Sequence, residues 1–206
     1  MKPNSLKFIG ITGGIGAGKS ELLQYIGRHY KCEIYLADSI AHEVKTPGSK
    51  CYRKLLNLLG EGITGPGGQI DKAKMAARIF SDEGLLKQVN DILHPAVREY
   101  LLERLERARQ EGKTELFFVE AALLIECGYG ALTDEMWYVY ADEETRRKRL
   151  REYRGYSEER IDGIMSSQLS EEQFRESCDF VIDNSGTLAE SFAQIDRKLE
   201  AFTWQE

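Results

Sequence analysis

"GITGGIGAGKSE", Gly10 to Glu21, is the stretch that decides the fold. Gly13, Gly18, Lys19 and Ser20 fit the spacing G-x-x-x-x-G-K-[ST] of a phosphate-binding loop. Such a loop must turn successive backbone N–H groups toward one anion. Glycine reaches the required backbone angles and lets phosphate oxygens come close to the main chain. A helix opening near Lys19 would aim its positive end at the same point. The spacing therefore assigns Gly13, Gly14, Ile15, Gly16, Ala17, Gly18, Lys19 and Ser20 to nucleotide phosphates. Lys19 would bring a point charge to the β- and γ-phosphates, and Ser20 a hydroxyl ligand for Mg²⁺.

The flanks support that reading. "LKFIGIT" (6–12) is an apolar run of the kind found in buried parallel strands, and "SELLQYIGRHY" after it has Leu22, Leu23 and Ile26 at helical spacing. "CEIYLAD" (32–38) reads as a second strand, which completes a βαβ unit and predicts a parallel sheet. Residues 39–112 change character. "YRKLLNLLG", "DKAKMAARIF" and "LLKQVNDILHPAVREYLLERLERARQEG" are helical in pattern, around a glycine-rich loop, "GEGITGPGGQ". This stretch is expected to be a helical insertion. Strand patterns return in "TELFFVEAALLIE" (114–126), "EMWYVYAD" (135–142) and "CDFVIDNSG" (178–186). The strongly basic helix "EETRRKRLREYRG" (143–155) lies between the last two, and the amphipathic "LAESFAQIDRKLEAF" follows them.

The 206 residues suit one α/β core with an inserted subdomain. With 42% hydrophobic and 30% charged residues the composition is that of a soluble globule. A net charge of −6 argues against general affinity for nucleic acid. No apolar run reaches the roughly 20 residues of a membrane span, and no secretory leader is evident, so a cytoplasmic protein without membrane or nucleic-acid partners is expected. The cysteines, Cys32, Cys51, Cys127 and Cys178, lack metal-ligand spacing and read as reduced, partly buried thiols.

Beyond the loop, "ADSIAHEV", "GQIDKAKMAARIFSD", "ILHP", "VEAALLIE", "EETRRKRLREYRG", "SSQLSEEQ" and "CDFVIDNSG" follow one another in an order that resembles the dephospho-CoA kinase family over nearly the whole chain. The resemblance implies a three-layer α/β phosphate-loop kinase with a parallel five-stranded sheet, a helical substrate-binding insertion and a helical lid. It divides the chain into a nucleotide-binding core (1–38, 113–142 and 176–206), a helical acceptor domain (39–112) and a lid (143–175). It implies ATP and Mg²⁺ as cofactors and dephospho-CoA as the small-molecule substrate, phosphorylated on the ribose 3′-hydroxyl to give CoA. A monomer or weak homo-oligomer is expected. Another small-molecule phosphate-loop kinase, or a nucleotide-binding regulatory protein with an impaired site, are the rival readings.

By the same resemblance Asp38 takes the acidic position at the acceptor hydroxyl, as general base or as orienter; a helix N-cap is its structural alternative. Glu120 stands where the family has a carboxylate for Mg²⁺, usually aspartate, and could also face the substrate, with a solvated strand end as the structural alternative; Ala122 replaces a usual proline. His94 falls in the acceptor domain, with a structural histidine before proline as the alternative, and Asn184 falls near the adenine, where a turn asparagine explains it equally well. Arg146, Arg147, Lys148, Arg149, Arg151 and Arg154 crowd one helix, with 147, 151 and 154 on one face. Like charges so placed call for an anion, and a lid closing over ATP supplies one, so Arg149 and Arg154 are expected at the phosphates; a solvated basic face balanced by the downstream carboxylates of "SEER" and "EE" is the structural alternative. Tyr153 departs from the family's arginine register. Glu21 replaces the threonine that usually closes the family's loop, and its carboxylate is expected to turn away from the nucleotide, toward solvent or a basic partner.

Overall fold

The computed structural model describes residues 6–80 and 82–203. The outer stretches 1–5 and 204–206 of the expected core lie outside the described residues. In chain order the elements are β1 (Lys7–Thr12), α1 (Lys19–His29), β2 (Cys32–Leu36), α2 (Ala37–Glu43), α3 (Lys50–Leu59), α4 (Lys72–Ile79), α5 (Glu83–Glu111), β3 (Leu116–Glu120), β4 (Glu135–Tyr140), α6 (Glu143–Arg154), α7 (Glu158–Ser166), α8 (Glu171–Ser177), β5 (Phe180–Asp183) and α9 (Leu188–Thr203). Two compact units result: Met1–Ile34 with Glu111–Glu206, and Tyr35–Gln110.

The first unit is α/β. Its strands lie in the order β2-β3-β1-β4-β5, so the phosphate loop grows from the central strand. β1 runs parallel to β3 and β4, and β4 parallel to β5. Side chains alternate across the sheet. Ile9 and Ile11 pack with Leu22, Leu23 and Ile26 of α1 and with Ile195 and Leu199 of α9. Phe8 points the opposite way and meets Phe117 edge-on at 5.4 Å. A strand buried on both faces needs the continuous apolar run that the sequence supplies.

The second unit is helical among its described residues apart from the end of β2 and one bridge, Thr64↔Ile70. Its core joins Cys51, Leu55 and Leu59 of α3 to Met75 of α4 and Leu85 and Val89 of α5. Ser49 caps α3 by accepting from the Tyr52 N–H, and Asp71 caps α4 by accepting from the N–H groups of Ala73 and Lys74. α5 runs through Pro95, where one intrahelical donor is missing.

Two strands are shorter than their apolar runs. The run 114–126 is strand only to Glu120. The Ala121 N–H still bonds the Ile11 carbonyl, and then Cys127 N–H to Leu123 O closes a turn, within which Leu124 is fully buried. The run 32–38 ends as a strand at Leu36, and Asp38 lies in the first turn of α2. The N-cap of α2 is Leu36, without a side-chain cap, so Asp38 is not a capping residue.

Candidate active site

The loop between β1 and α1 has two ends. At the first, Gly13 to Ile15, Lys19 turns back and its Nζ donates to Gly13 O at 2.7 Å and Gly14 O at 3.5 Å. At the second, Ala17 and Gly18, the Asn184 amide Nδ2 donates to Ala17 O at 2.7 Å. Asn184 is 1% exposed, and its Oδ1 accepts from Ser191 Oγ at 2.8 Å. Arg149 joins this second end, with Nη2 donating to Asn184 O at 2.9 Å and Nη1 to Ala17 O at 3.3 Å. Asn184 and Arg149 thus brace the loop where α1 begins.

The glycines are bare for a reason beyond phosphate approach. A Cβ on Gly14 would lie 2.6 Å from Arg146 Cζ, and one on Gly16 would lie 3.0 Å from Arg146 O and 3.2 Å from Leu150 Cγ. Gly18 has φ +90°, and its Cβ would strike the Asn184 amide. The loop is therefore clasped by α6 and by the turn after β5, and the neighbours a side chain would displace are protein atoms. Gly18 is also the N-cap of α1 and offers no side chain, so the first N–H groups of that helix are not consumed by a cap.

Lys19 at the start of α1 and Glu120 at the end of β3 meet, Nζ to Oε1 at 3.7 Å, with side-chain exposures of 14% and 20%. Burial lowers the Lys19 pKa, the Glu120 carboxylate opposes that shift, and the charges of Arg146 and Arg154 add to it. Arg154, exposed at the end of α6, thus acts on the site through its field. Glu120 and the exposed Ser20 offer one carboxylate and one hydroxyl to a metal ion. That is the protein share used by a Mg²⁺ carried on nucleotide phosphates. Among the described residues no three His, Cys, Asp or Glu side chains gather as a protein-only metal cage would need.

On the basic face at 147, 151 and 154, two arginines meet carboxylates of the protein, Glu158 of "SEER" among them. Arg147 pairs with Glu143 at 2.7 Å, Glu158 at 3.0 Å and Asp162 at 2.6 Å, and Arg151 pairs with Glu158 at 2.7 Å. Carboxylates of α6 and α7 thus balance Arg147 and Arg151, which serve the packing of those helices. Glu21 is exposed in the first turn of α1, where the helix dipole favours a negative charge.

In the second unit, Asp38 is exposed, and its charge acts on the half-buried Lys45, whose pKa is lowered by burial first. His94 is exposed on α5 just before Pro95.

Sequence reasoning named Arg146 only within the basic cluster and did not single out Gln168 from "SSQLSEEQ". Arg146 donates from Nε to Ile15 O at 2.9 Å and from Nη2 to Gln168 Oε1 at 2.7 Å. Gln168 Oε1 also accepts from the Ile15 N–H at 3.2 Å. The signal for Arg146 was Leu150, the only apolar side chain of the basic helix besides Tyr153. It is 1% exposed and marks the packed face, which 146 shares at one helical turn. Gln168 lies beyond the end of α7 and has no periodic signal of its own.

The sequence model of the family described as dephospho-CoA kinase matches residues 7–190. A dephospho-CoA kinase of Streptococcus mutans is 34% identical over 94% of this chain and 96% of that protein. A Thermus thermophilus protein of known crystal structure superposes with a TM-score of 0.78 at 30% identity, over 95% of this chain and 97% of that one. The dephospho-CoA kinase of Campylobacter jejuni shares the fold, with a TM-score of 0.70 at 23% identity over 94% and 95% of the two chains. On the extent of these matches, the chain belongs to the dephospho-CoA kinase family.

Proposed function

We infer that this chain transfers the γ-phosphoryl group of ATP to the ribose 3′-hydroxyl of dephospho-CoA, giving CoA and ADP. The observation that carries the reading is the loop Gly13–Ser20 on the central strand, with Lys19 buried beside Glu120, in a chain of this family.

In this reading the loop N–H groups and the first turn of α1 hold the phosphates. Lys19 stabilises charge as the γ-phosphoryl leaves, which is where a fixed cation counts most. Ser20 and Glu120 would hold Mg²⁺, which when bound neutralises charge on the β- and γ-oxygens. Arg149 and Asn184 fix the loop end nearest α1 and serve the nucleoside side. The 3′-oxygen attacks the γ-phosphorus, the bond from that phosphorus to the bridging oxygen breaks, and ADP departs with the electron pair. Asp38 accepts or orients the hydroxyl proton, and His94 belongs to the acceptor-binding unit.

The test is formation of CoA and ADP from ATP, Mg²⁺ and dephospho-CoA, beside parallel reactions offering shikimate or a nucleoside monophosphate. Turnover confined to dephospho-CoA is expected. Turnover with another acceptor only would reassign the substrate, and nucleotide binding without any turnover would make the chain a regulatory binder. Asp38→Asn should lower kcat strongly while ATP affinity holds, because that residue addresses the acceptor.

A further inference from the structure

Of the cations on α6, Arg146 alone reaches the first end of the loop among the described residues, and it does so without a balancing carboxylate. Glu143 acts on it from a distance and is itself paired with Arg147. Its guanidinium lies against Gly14, so closely that a Cβ there would meet Cζ at 2.6 Å and Nη1 at 3.0 Å. Nε is committed to Ile15 O and Nη2 to Gln168 Oε1, whereas Nη1 has no hydrogen-bond partner among the described residues. Burial disfavours the charge at this place, and a half-buried guanidinium with a spare donor is stabilised by an anion.

The position along the loop says which part of the nucleotide that anion is. Lys19 Nζ sits at Gly13 and Gly14, and the lysine of such a loop serves the β- and γ-phosphates. Arg146 covers Gly14 and Ile15, the same end. Arg149 instead braces Ala17 and Asn184, the end at which α1 begins.

We propose that Arg146 is the arginine that meets the terminal phosphate of ATP, through Nη1, and that Gln168 is the positioning residue that holds its guanidinium there by gripping the Ile15 N–H and Nη2 together. This rests on the functional reading above and sharpens it: the phosphoryl-stabilising arginine lies on the packed face of α6, in place of Arg147 and Arg151, whose charges carboxylates balance. Arg146 and Gln168 bracket the Ile15 peptide, one on its carbonyl and one on its N–H, so the guanidinium plane is set before any nucleotide arrives. An ammonium cannot make the same forked contact.

The experiment compares ADP with a non-hydrolysable ATP analogue by calorimetric titration, in the native chain and in Arg146→Ala, Arg146→Lys and Gln168→Ala, with thermal melts of each. Arg146→Ala should weaken the triphosphate analogue about tenfold while ADP affinity stays within about threefold. In the kinase assay it should lower kcat roughly 100-fold, with the KM for dephospho-CoA unchanged. Arg146→Lys should recover part of kcat, and Gln168→Ala should lower kcat less than Arg146→Ala with the same selectivity for the triphosphate. Equal losses for ADP and the analogue, or a near-native kcat in Arg146→Ala, overturn the proposal. If Arg146→Ala does not fold, the lysine variant decides by the same ratio. If the native chain makes no CoA, the functional reading falls, and the ratio of the two nucleotide affinities still judges Arg146.

Discussion

Lys19 Nζ lies 3.7 Å from Glu120 Oε1 and 2.7 Å from Gly13 O, so the loop's cation is tethered both to the neighbouring strand's carboxylate and to its own loop. Burial lowers the lysine's pKa and Glu120 holds it up. As pH rises through that lowered value the ammonium is lost, and with it phosphate binding. The alkaline limb of kcat/KM for ATP should therefore fall below the ordinary lysine range near 10.4. Glu120→Gln removes the opposing anion and should move that limb to still lower pH. A limb that stays in place or moves up contradicts the pairing. Stability runs the other way: between the lowered and the ordinary pKa the unfolded chain binds more protons, so this group's contribution to stability rises with pH.

The glycines of the loop are not equivalent to those elsewhere. Gly16→Ala adds a methyl 3.0 Å from Arg146 O at a residue with φ +79°, and should cost about 1–3 kcal/mol and reduce nucleotide affinity. Gly163 sits in α7 with open space around its Cα and ordinary helical φ. Gly163→Ala should stabilise by about 0.5–1 kcal/mol, read as a rise of roughly 1–4 °C in Tm, with kcat unchanged. A destabilised Gly163→Ala would contradict the open surroundings.

Arg147 is bound by three carboxylates, all partly exposed. Arg147→Ala should leave kcat within about twofold, and the small loss in Tm should fade as salt is added, because such exposed pairs are screened. A large, salt-insensitive loss of kcat would return this residue to the phosphates.

Glu21 is exposed where α1 opens, and its carboxylate there favours the helix by about 0.3–1 kcal/mol. Glu21→Thr should forgo that contribution, tighten ATP binding modestly and leave kcat little changed. Titration with the ATP analogue beside steady-state kinetics reads both. Kinase activity created by the substitution in an otherwise inactive chain would show that Glu21 impairs the site.

The loop and the strand-helix-strand succession around it were legible because the spacing and the flanking apolar runs lie in the same local residues, whereas the strand order, in which β3 separates β1 from β2, does not. Strand ends were less so. The apolar run through Leu124 continues past Glu120 because the turn that follows is also buried, and burial alone does not tell a strand from a packed turn. Asp38 was placed at a strand end and lies in a helix, since "ADSIAHE" starts helical within two residues of the last strand position. The charges of the basic helix left two partners open, a phosphate or the carboxylates of "SEER", and Arg147 and Arg151 take the second through Glu158; an arginine's partner is set by which face packs, and Leu150 identifies that face. Gln168 reaches Ile15 across 153 positions of sequence, a contact that no local pattern encodes.

The central place of β1 has a consequence for how the chain is made. Its first pairing partners, Leu116 to Glu120, are synthesised roughly 110 positions later, and Glu135 to Tyr138 later still. The ladder that sets the direction of the loop's N–H groups is absent until most of the chain has left the ribosome. The residues of the helical unit emerge in the meantime and have their own core among α3, α4 and α5. A nascent chain stalled before Leu116 therefore carries the complete phosphate-loop sequence without the sheet that gives it an affinity for nucleotide.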